Sequence, residues 1–349
     1  MLICYHHNDL DGKAAAYCVR KFKPPVVEDT PLSYYQCTYD TPMDKHTAQD
    51  DVVIVDIAFT TSNYKNLIDI CNNARTVTWI DHHKSSDDVA KQFRKELQSI
   101  KNLTYFVSMC ASGAALTYTY FKSISAVQKM FKDKADNEEY DLSAECTYSE
   151  SNTFIDFSVS SGNRVPDIIN VKLTNFLKYV DDFDCWKKHY TLTDYFVLGI
   201  DSNDTAFVKK EYNRFNRNRP GEVEKTFNYF WNMVEDGVFE FIENGKIISG
   251  YIHSRYHREL ATSFVWEYEG VKFLCLNGSG NSWNFEDRIK KYKACILFKY
   301  DGKAGKWIYS CYADESSDFN CEEFCKKFGG GGHYHAAGFS TDKLIFTHL

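Results

Sequence analysis

An acid and two imidazoles, Asp81-His82-His83, stand directly behind the apolar run Val77-Thr78-Trp79-Ile80. Such a run reads as a buried strand, so its carboxyl end would carry metal-ligating side chains. Two earlier runs end in the same chemistry. Leu2-Ile3-Cys4-Tyr5 leads into His7-Asn8-Asp9-Leu10-Asp11-Gly12, and Val52-Val53-Ile54-Val55 leads into Asp56. Ligands of open α/β sheets bind where the strands end. Three strand ends that offer carboxylates and imidazoles therefore describe a metal site. Oxygen and imidazole nitrogen together suit Mn2+, Mg2+, Fe2+ or Zn2+. An extended segment would place His7, Asp9 and Asp11 on one side. Asp56, with two oxygens, could bridge two ions, and His82 could complete the coordination of the second. Two ions about 3.5–4 Å apart would polarise a phosphoryl group and activate a bridging water for attack on phosphorus. Each motif alone is more often a hydrogen-bonded loop, a turn at Asp11-Gly12, or a helix N-cap at Asp56. Their conjunction at successive strand ends carries the reading.

The elements that would position these residues follow a βαβ rhythm. Helical text from Gly12 to Phe22 follows the first strand, and strands are expected at Ser33 to Tyr39 and Val52 to Asp56. A helix from Thr61 to Asn73 precedes the strand Thr76 to Ile80; a helix from Asp87 to Ile100, a strand from Thr104 to Ser108 and a small-residue helix from Ser112 to Phe121 come next. This alternation predicts an α/β fold with a mostly parallel sheet and right-handed crossovers. From Lys122 to Val171 the text turns polar and reads as an insertion on the domain surface. Val171 to Val180 is amphipathic and runs into a second acidic cluster, Asp181-Asp182-Phe183-Asp184-Cys185-Trp186.

A chain of 349 residues suggests two domains. The expected division is a catalytic domain over 1–212 with the insertion at about 122–171, a linker over 213–238, and a smaller α/β domain over 239–349. Arg214, Arg217, Arg219 and Pro220 mark the linker. The second domain reads as a long helix from Phe239 to Phe264, strands at Val271 to Leu276, Ala294 to Tyr300 and Trp307 to Tyr312, and a helix from Asn320 to Phe328 before a glycine-rich loop. A formal charge of −7 argues against long duplex DNA as a partner. Twelve scattered cysteines without a CxxC pair read as reduced thiols, and no apolar run approaches the ~20 residues of a membrane span. A cytoplasmic protein with no membrane partner is the expectation.

The first-domain motifs resemble those of the DHH phosphoesterases. His7-Asn8-Asp9-Leu10-Asp11-Gly12 is similar to their His-x-Asp-x-Asp-Gly motif, Asp56 to their second, and Asp81-His82-His83 to the triplet that names them. Ser112-Gly113-Ala114-Ala115 resembles the helix start that follows the triplet. The resemblance implies a dimanganese site, with Mg2+ or Co2+ as substitutes. His7, Asp9 and Asp56 would hold one ion; Asp11, Asp56, His82 and a fourth-motif aspartate would hold the other. His83 would face the scissile phosphate, stabilising its charge or helping to protonate the leaving oxygen, and Asp81 would orient a histidine from behind. Asp181, Asp182 and Asp184 are all available for the fourth motif. The Asp-x-Asp-x-Trp pattern favours Asp182, with Asp184 as the fallback. His6 is an alternative to His7, whose spacing to Asp9 and Asp11 is the better one.

Near the C-terminus stands Gly329-Gly330-Gly331-Gly332-His333-Tyr334-His335-Ala336-Ala337-Gly338. Glycines let backbone amides approach an anion, and His333 can add a donor. The string resembles the Gly-Gly-Gly-His-x-x-Ala-Ala-Gly signature of the DHH-associated domain, so the resemblance covers nearly the whole chain. It implies substrate binding at Gly330, Gly331, Gly332 and His333. Tyr312 stands where members carry an arginine, which puts bidentate phosphate recognition in doubt there and leaves room for stacking on a base. His253 and His257 have a metal-compatible i, i+4 spacing but read as surface residues. The resulting expectation is a dimetal phosphodiesterase that degrades short oligonucleotides to mononucleotides, with a homodimer as the admissible assembly. The alternatives are hydrolysis of cyclic dinucleotides or nucleoside bisphosphates, and a nucleotide-binding sensor without catalysis.

Overall fold

The computed structural model describes residues 1–22, 32–37, 41–124, 127, 140–161, 166–203 and 237–346. The chain divides into two compact units, Met1–Lys246 and Ile247–Leu349. Most of the expected linker over 213–238, with its three arginines, lies outside the described residues.

The first unit is built on a five-stranded parallel sheet: β1 (Leu2–His7), β2 (Leu32–Cys37), β3 (Asp51–Val55), β4 (Thr76–Asp81) and β5 (Leu103–Val107). The spatial order is β2-β1-β3-β4-β5. Side chains alternate between two cores, as the pleat requires. Leu2, Cys4, Val53, Val55, Ile80 and Phe106 face one core. Ile3, Tyr5, Val52, Ile54, Val77 and Trp79 face the other. A sheet buried on both faces explains the near-continuous apolar runs in the sequence.

Helices α1 (Leu10–Phe22) and α5 (Gly113–Lys122) cover the first face and pack on each other through buried small residues, among them Ala14, Ala15, Ala114 and Ala115. Helices α2 (Lys65–Asn72), α3 (Lys84–Gln92) and α4 (Arg94–Ser99) lie on the opposite face. The connection after β1 therefore leaves on one face and that after β3 on the other. This makes the gap between β1 and β3 the switch point, where a doubly wound sheet opens a crevice. The single helix expected from Asp87 to Ile100 is two helices broken at Phe93.

The polar text between Lys122 and Val171 contains a three-stranded antiparallel sheet: β6 (Tyr140–Tyr148), β7 (Thr153–Ser161) and β8 (Asp167–Lys172). It is no mere surface decoration. Ile155, Phe157 and Val159 are buried in the core over α1 and α5, and the Phe157 ring meets Phe106 edge-on at 5.0 Å. The signal was present in Phe154-Ile155-Asp156-Phe157-Ser158-Val159, where alternate residues are apolar or polar beneath the general polarity. Helices α6 (Asn175–Asp184) and α7 (Thr193–Asn203) complete that core with Phe176, Leu177, Val180 and Phe196.

Helix α8 (Val238–Leu260) begins in the first unit and ends in the second. It stops short of the expected Phe264, because Phe264–Tyr268 forms β9 instead. The second unit is a six-stranded mixed sheet that also contains β10 (Val271–Asn277), β11 (Ala294–Asp301), β12 (Lys306–Tyr312), β13 (Gly331–His333) and β14 (Ala336–Thr341). Its order is β13-β14-β12-β11-β10-β9, with only β10 and β11 parallel. A short helix, α9 (Cys321–Lys326), packs on it through Phe324. No disulfide joins any of the 12 cysteines, and among the described residues no helix is long and apolar enough to cross a membrane.

Because β7 contributes to the main core, Phe157→Ala should destabilise the first unit by about 3–5 kcal/mol. A denaturant midpoint unchanged from wild type would show that the β6–β8 sheet is an appendage.

Candidate metal centre

Register places the three motifs side by side. His6 pairs with Val55 and Val55 with Ile80, so the residues that follow, His7, Asp56 and Asp81, line one sheet edge at the β1/β3 switch point. Asp56 turns the chain there with φ +55°. Aspartate tolerates this left-handed conformation better than most residues. Its amide still donates to the Ile80 carbonyl at 3.0 Å, which keeps the turn tied to β4.

Asp11, the first acidic residue of α1, is 2% exposed and reaches across to the start of α5. Its two oxygens accept from the amides of Gly113 at 2.7 Å and Ala114 at 3.0 Å. A helix N-terminus is a favourable place for a carboxylate. Only glycine fits at 113, because a Cβ there would lie 2.8 Å from the Asp56 Cβ and 3.0 Å from an Asp11 oxygen.

His82 is the hub. Its Nε2 lies 3.2 Å from Asp56 Oδ1, 3.3 Å from Asp184 Oδ2 and 3.8 Å from Asp11 Oδ2. One imidazole nitrogen carries one proton or one lone pair, so it cannot satisfy three carboxylates. Asp56 Oδ2 and Asp81 Oδ2 are buried with no hydrogen-bond partner at all. Such atoms are costly unless something else supplies positive charge.

The titration of the cluster carries the same message. Burial pushes Asp11 up to about 7, against the pull of the α5 amides. Burial, then repulsion from Asp11 among others, pushes Asp184 to about 7. Asp56 is raised well above the carboxylate range by burial and by the charges of Asp11, Asp9, Asp81 and Asp184. Burial lowers His82 despite its acidic neighbours. Burial also opposes charge on His83, but the 2.8 Å hydrogen bond from its Nδ1 to Asp81 Oδ1, with the charges of Asp81, Asp184 and Asp11, outweighs it and raises the ring. Too many carboxylates meet too little positive charge, and a bound cation would relieve that imbalance.

Among the described residues, ligand atoms converge within 4.8 Å of one another in three overlapping groups: His7, Asp9 and Asp56; Asp56, Asp81, His82 and His83; and His82, Asp184 and Cys185. The structure thus brings together His7, Asp9, Asp11, Asp56, Asp81, His82 and His83. His7 Nδ1 meets Asp9 Oδ2 at 2.6 Å, and Asp9 Oδ1 accepts from the Gly12 amide at 2.8 Å. His6 is 1% exposed, donates from Nδ1 to the His7 carbonyl, and is pushed down to about 4 by burial. That leaves His7 as the first-motif histidine at the edge.

Asp182, the expected fourth-motif residue, is not in the cluster. Its carboxylate accepts from the amides of His189 at 2.7 Å and Tyr190 at 3.3 Å and from the Thr193 hydroxyl at 2.5 Å. Asp181 is likewise occupied, by Lys187 at 2.8 Å and the Ser112 amide at 2.8 Å. The placement corrects the expectation: Asp184, the fallback, is the aspartate that faces His82. Cys185 was overlooked in the sequence, where nothing set it apart from the other eleven cysteines. Burial and then Asp181 raise its thiol, which keeps it protonated.

In the second unit the glycine string is not a free loop. Gly331, Gly332 and His333 form β13, paired with Gly338, Ala337 and Ala336 of β14. Gly332 has φ +145°, and a Cβ there would sit 2.6 Å from the Ala337 backbone, so glycine is required by that pairing. A Cβ on Gly330 would similarly meet the Gly338 carbonyl at 2.1 Å, whereas Gly331 borders open space. His333 is exposed, and Tyr312 donates from its hydroxyl to the Gly280 carbonyl at 3.4 Å. His257 lies 3.7 Å from Glu286, and no ligand cluster forms around His253 and His257 among the described residues.

No family model matches the chain, and no curated protein does. Solved structures align along nearly all of it. A pGpG-specific phosphodiesterase, PggH, from Vibrio cholerae is 14% identical, with 97% of this chain and 92% of that one covered and a TM-score of 0.40. An exopolyphosphatase-related protein from Bacteroides fragilis is 10% identical over 99% and 87%, with a TM-score of 0.40. A DHH-domain member of the s1p family of ribosomal proteins is 13% identical over 97% and 82%, with a TM-score of 0.39. Likenesses this distant carry no weight for activity. The resemblance to DHH phosphoesterases stands on the motifs and on the edge they build.

The raised carboxyls set a pH dependence in metal-free protein. Between the ordinary carboxyl value near ~4 and about 7, folded Asp11 and Asp184 hold protons that the unfolded chain has lost. Stability should therefore fall as pH rises through about 7, and Asp184→Asn should flatten the slope. Denaturant titrations of chelator-treated protein between roughly pH 6 and pH 8 check this; stability that rises over that window would contradict it.

Proposed function

We propose that the chain is a dimetal phosphodiesterase, supported by manganese, that hydrolyses short oligonucleotides to mononucleotides. The observation that carries the proposal is the edge around His82, where Asp11, Asp56 and Asp184 converge on one nitrogen and Asp56 Oδ2 is buried without a partner. The donor set of carboxylate oxygens and imidazole nitrogens fits divalent manganese, with Mg2+ or Co2+ as substitutes. His7, Asp9 and Asp56 would hold one ion. Asp11, Asp56, His82 and Asp184 would hold the other, Asp56 being shared. Two bound cations supply Lewis-acid polarisation of a phosphoryl oxygen and an activated water.

The chain's own groups would do the rest. Asp11 is aimed by the α5 amides and Asp9 by the Gly12 amide, so neither needs to reorganise on loading. Asp81 accepts from His83 Nδ1 and thereby orients the ring, leaving Nε2 as the group to face a phosphate. The raised titration of His83 suits a partly protonated imidazole that offsets phosphate charge or gives a proton to the leaving oxygen. In the second unit, Gly331 and His333 border open space or solvent and remain candidates for substrate contact, as do Gly330, Gly332 and Tyr312 through backbone or hydroxyl groups.

Hydrolysis of a labelled linear dinucleotide with Mn2+, beside a cyclic dinucleotide and a nucleoside bisphosphate, tests the proposal. Linear substrate should be preferred, Asp56→Asn should lose both metal and turnover, and His83→Ala should cost on the order of 100-fold or more in kcat while metal stays bound. Bound metal without turnover of any of the three would leave a sensor and sink the enzyme reading.

The fourth-motif assignment has its own test. Asp184→Asn should weaken Mn2+ binding at least about tenfold. Asp182→Ala should instead lower stability by about 1–3 kcal/mol, by orphaning three donors, two of them buried, with metal affinity kept. Calorimetric titration and thermal melts of the two variants separate these outcomes.

A further inference from the structure

Two residues beyond Asp184, at a Cα separation of at most about 7 Å, stands Trp186, with 73% of its surface exposed. Its backbone has φ +52°, and Lys188 has φ +53°. Positive φ is uncommon for bulky residues and persists where the surroundings over-determine it. They do so here. The Cys185 amide donates to the Asp181 carbonyl, the Trp186 amide to Phe183, and the Lys187 amide to Asp182. The Lys187 side chain is anchored inward on Asp181 and on the Cys110 carbonyl at 2.9 Å. The His189 amide is held by the Asp182 carboxylate. The buried pair of aspartates therefore fixes the turn from below and leaves Trp186 and Lys188 pointing away from it.

The exposed side chains make a chemically specific surface. Lys188 Nζ lies 4.5 Å over the indole ring and pairs with Asp194 at 3.4 Å. Met109, 55% exposed, precedes the Cys110 carbonyl that holds Lys187, and Phe183, 38% exposed, precedes Asp184. A large exposed indole on a rigid turn does not contribute to the core, yet it occupies a strained backbone position next to the cluster. With the Lys188 ammonium over one face of the indole, the rest of its exposed surface fits a nucleobase whose phosphate lies close by.

We infer that Trp186 is a stacking platform for the nucleobase adjoining the scissile phosphate, with Lys188 beside it to meet the nucleotide's negative charge. The inference rests on the phosphodiesterase reading above. It assigns base recognition to the first unit itself, and it makes the site selective for phosphodiesters that carry a planar ring.

The test compares a linear diadenylate with its abasic counterpart, both with Mn2+, in wild type, Trp186→Ala and Trp186→Phe. The ratio of kcat/KM for the base-bearing over the abasic substrate should fall roughly tenfold or more in Trp186→Ala. The loss should sit in KM, and Trp186→Phe should restore most of it. An unchanged ratio, or an equal loss on both substrates, overturns the inference, since a merely structural role would affect both alike. Should wild type cleave neither substrate, quenching by adenosine monophosphate of the fluorescence that Trp186→Phe removes decides the matter. Quenching would reject the reaction and keep the platform; its absence would reject the platform too.

Discussion

The two hydrogen bonds that Asp11 accepts from the first amides of α5 join residues 102 and 103 positions apart, and the rest of the centre is arranged around them. They seat the start of α1 against the start of α5, which brings Gly113 against Asp56 and leaves no room for a larger residue. With both helix starts drawn to the β1/β3 switch point, the carboxylates of Asp9, Asp11, Asp56 and Asp184 have nowhere to spread. Burial without enough positive charge is the cost, to which their mutual repulsion adds, and it is visible in the raised titration of Asp11, Asp56 and Asp184. A fold that gathers three acids around one imidazole, two of them buried, holds them in a state that a divalent cation would relieve.

The neighbouring aspartates show how position on one helix separates structure from chemistry. Asp181 and Asp182 are fully buried and spend their oxygens on Lys187, Ser112, His189, Tyr190 and Thr193. They fasten α6 to the start of α5 and to the turn that follows it. That turn carries Trp186 outward while Asp184 stays with His82. A structural pair and the acid that faces His82 thus sit within four positions, and the pair fastens the helix end that carries the acid.

The second unit shows glycine serving backbone packing. Gly332 is needed because β13 runs too close to β14 for any side chain, and Gly331 is left open beside it. A string that reads as an anion cradle is first of all a strand of the sheet. Its capacity to meet a ligand lies in the positions that the pairing leaves uncovered.

Much of the first unit was legible in the sequence. The strand ends at His7, Asp56 and Asp81 follow from buried apolar runs, because strands covered on both faces admit little else, and their chemistry follows from residue type. The β6–β8 sheet was less legible, since its alternation is short and lies in polar text. Among Asp181, Asp182 and Asp184 the sequence pattern favours Asp182, whereas the fold turns Asp184 to His82. Helix α6 has an apolar stripe, but Lys178, Asp181 and Asp182 are buried along with it, so the stripe does not say which acid is turned to the sheet edge. Successive residues point about 100° apart on a helix, so which acid meets His82 depends on how α6 is rotated against the sheet edge. Residue type and strand pattern determined that carboxylates and imidazoles meet at one sheet edge; only packing between segments distant in sequence decided which carboxylates stand there.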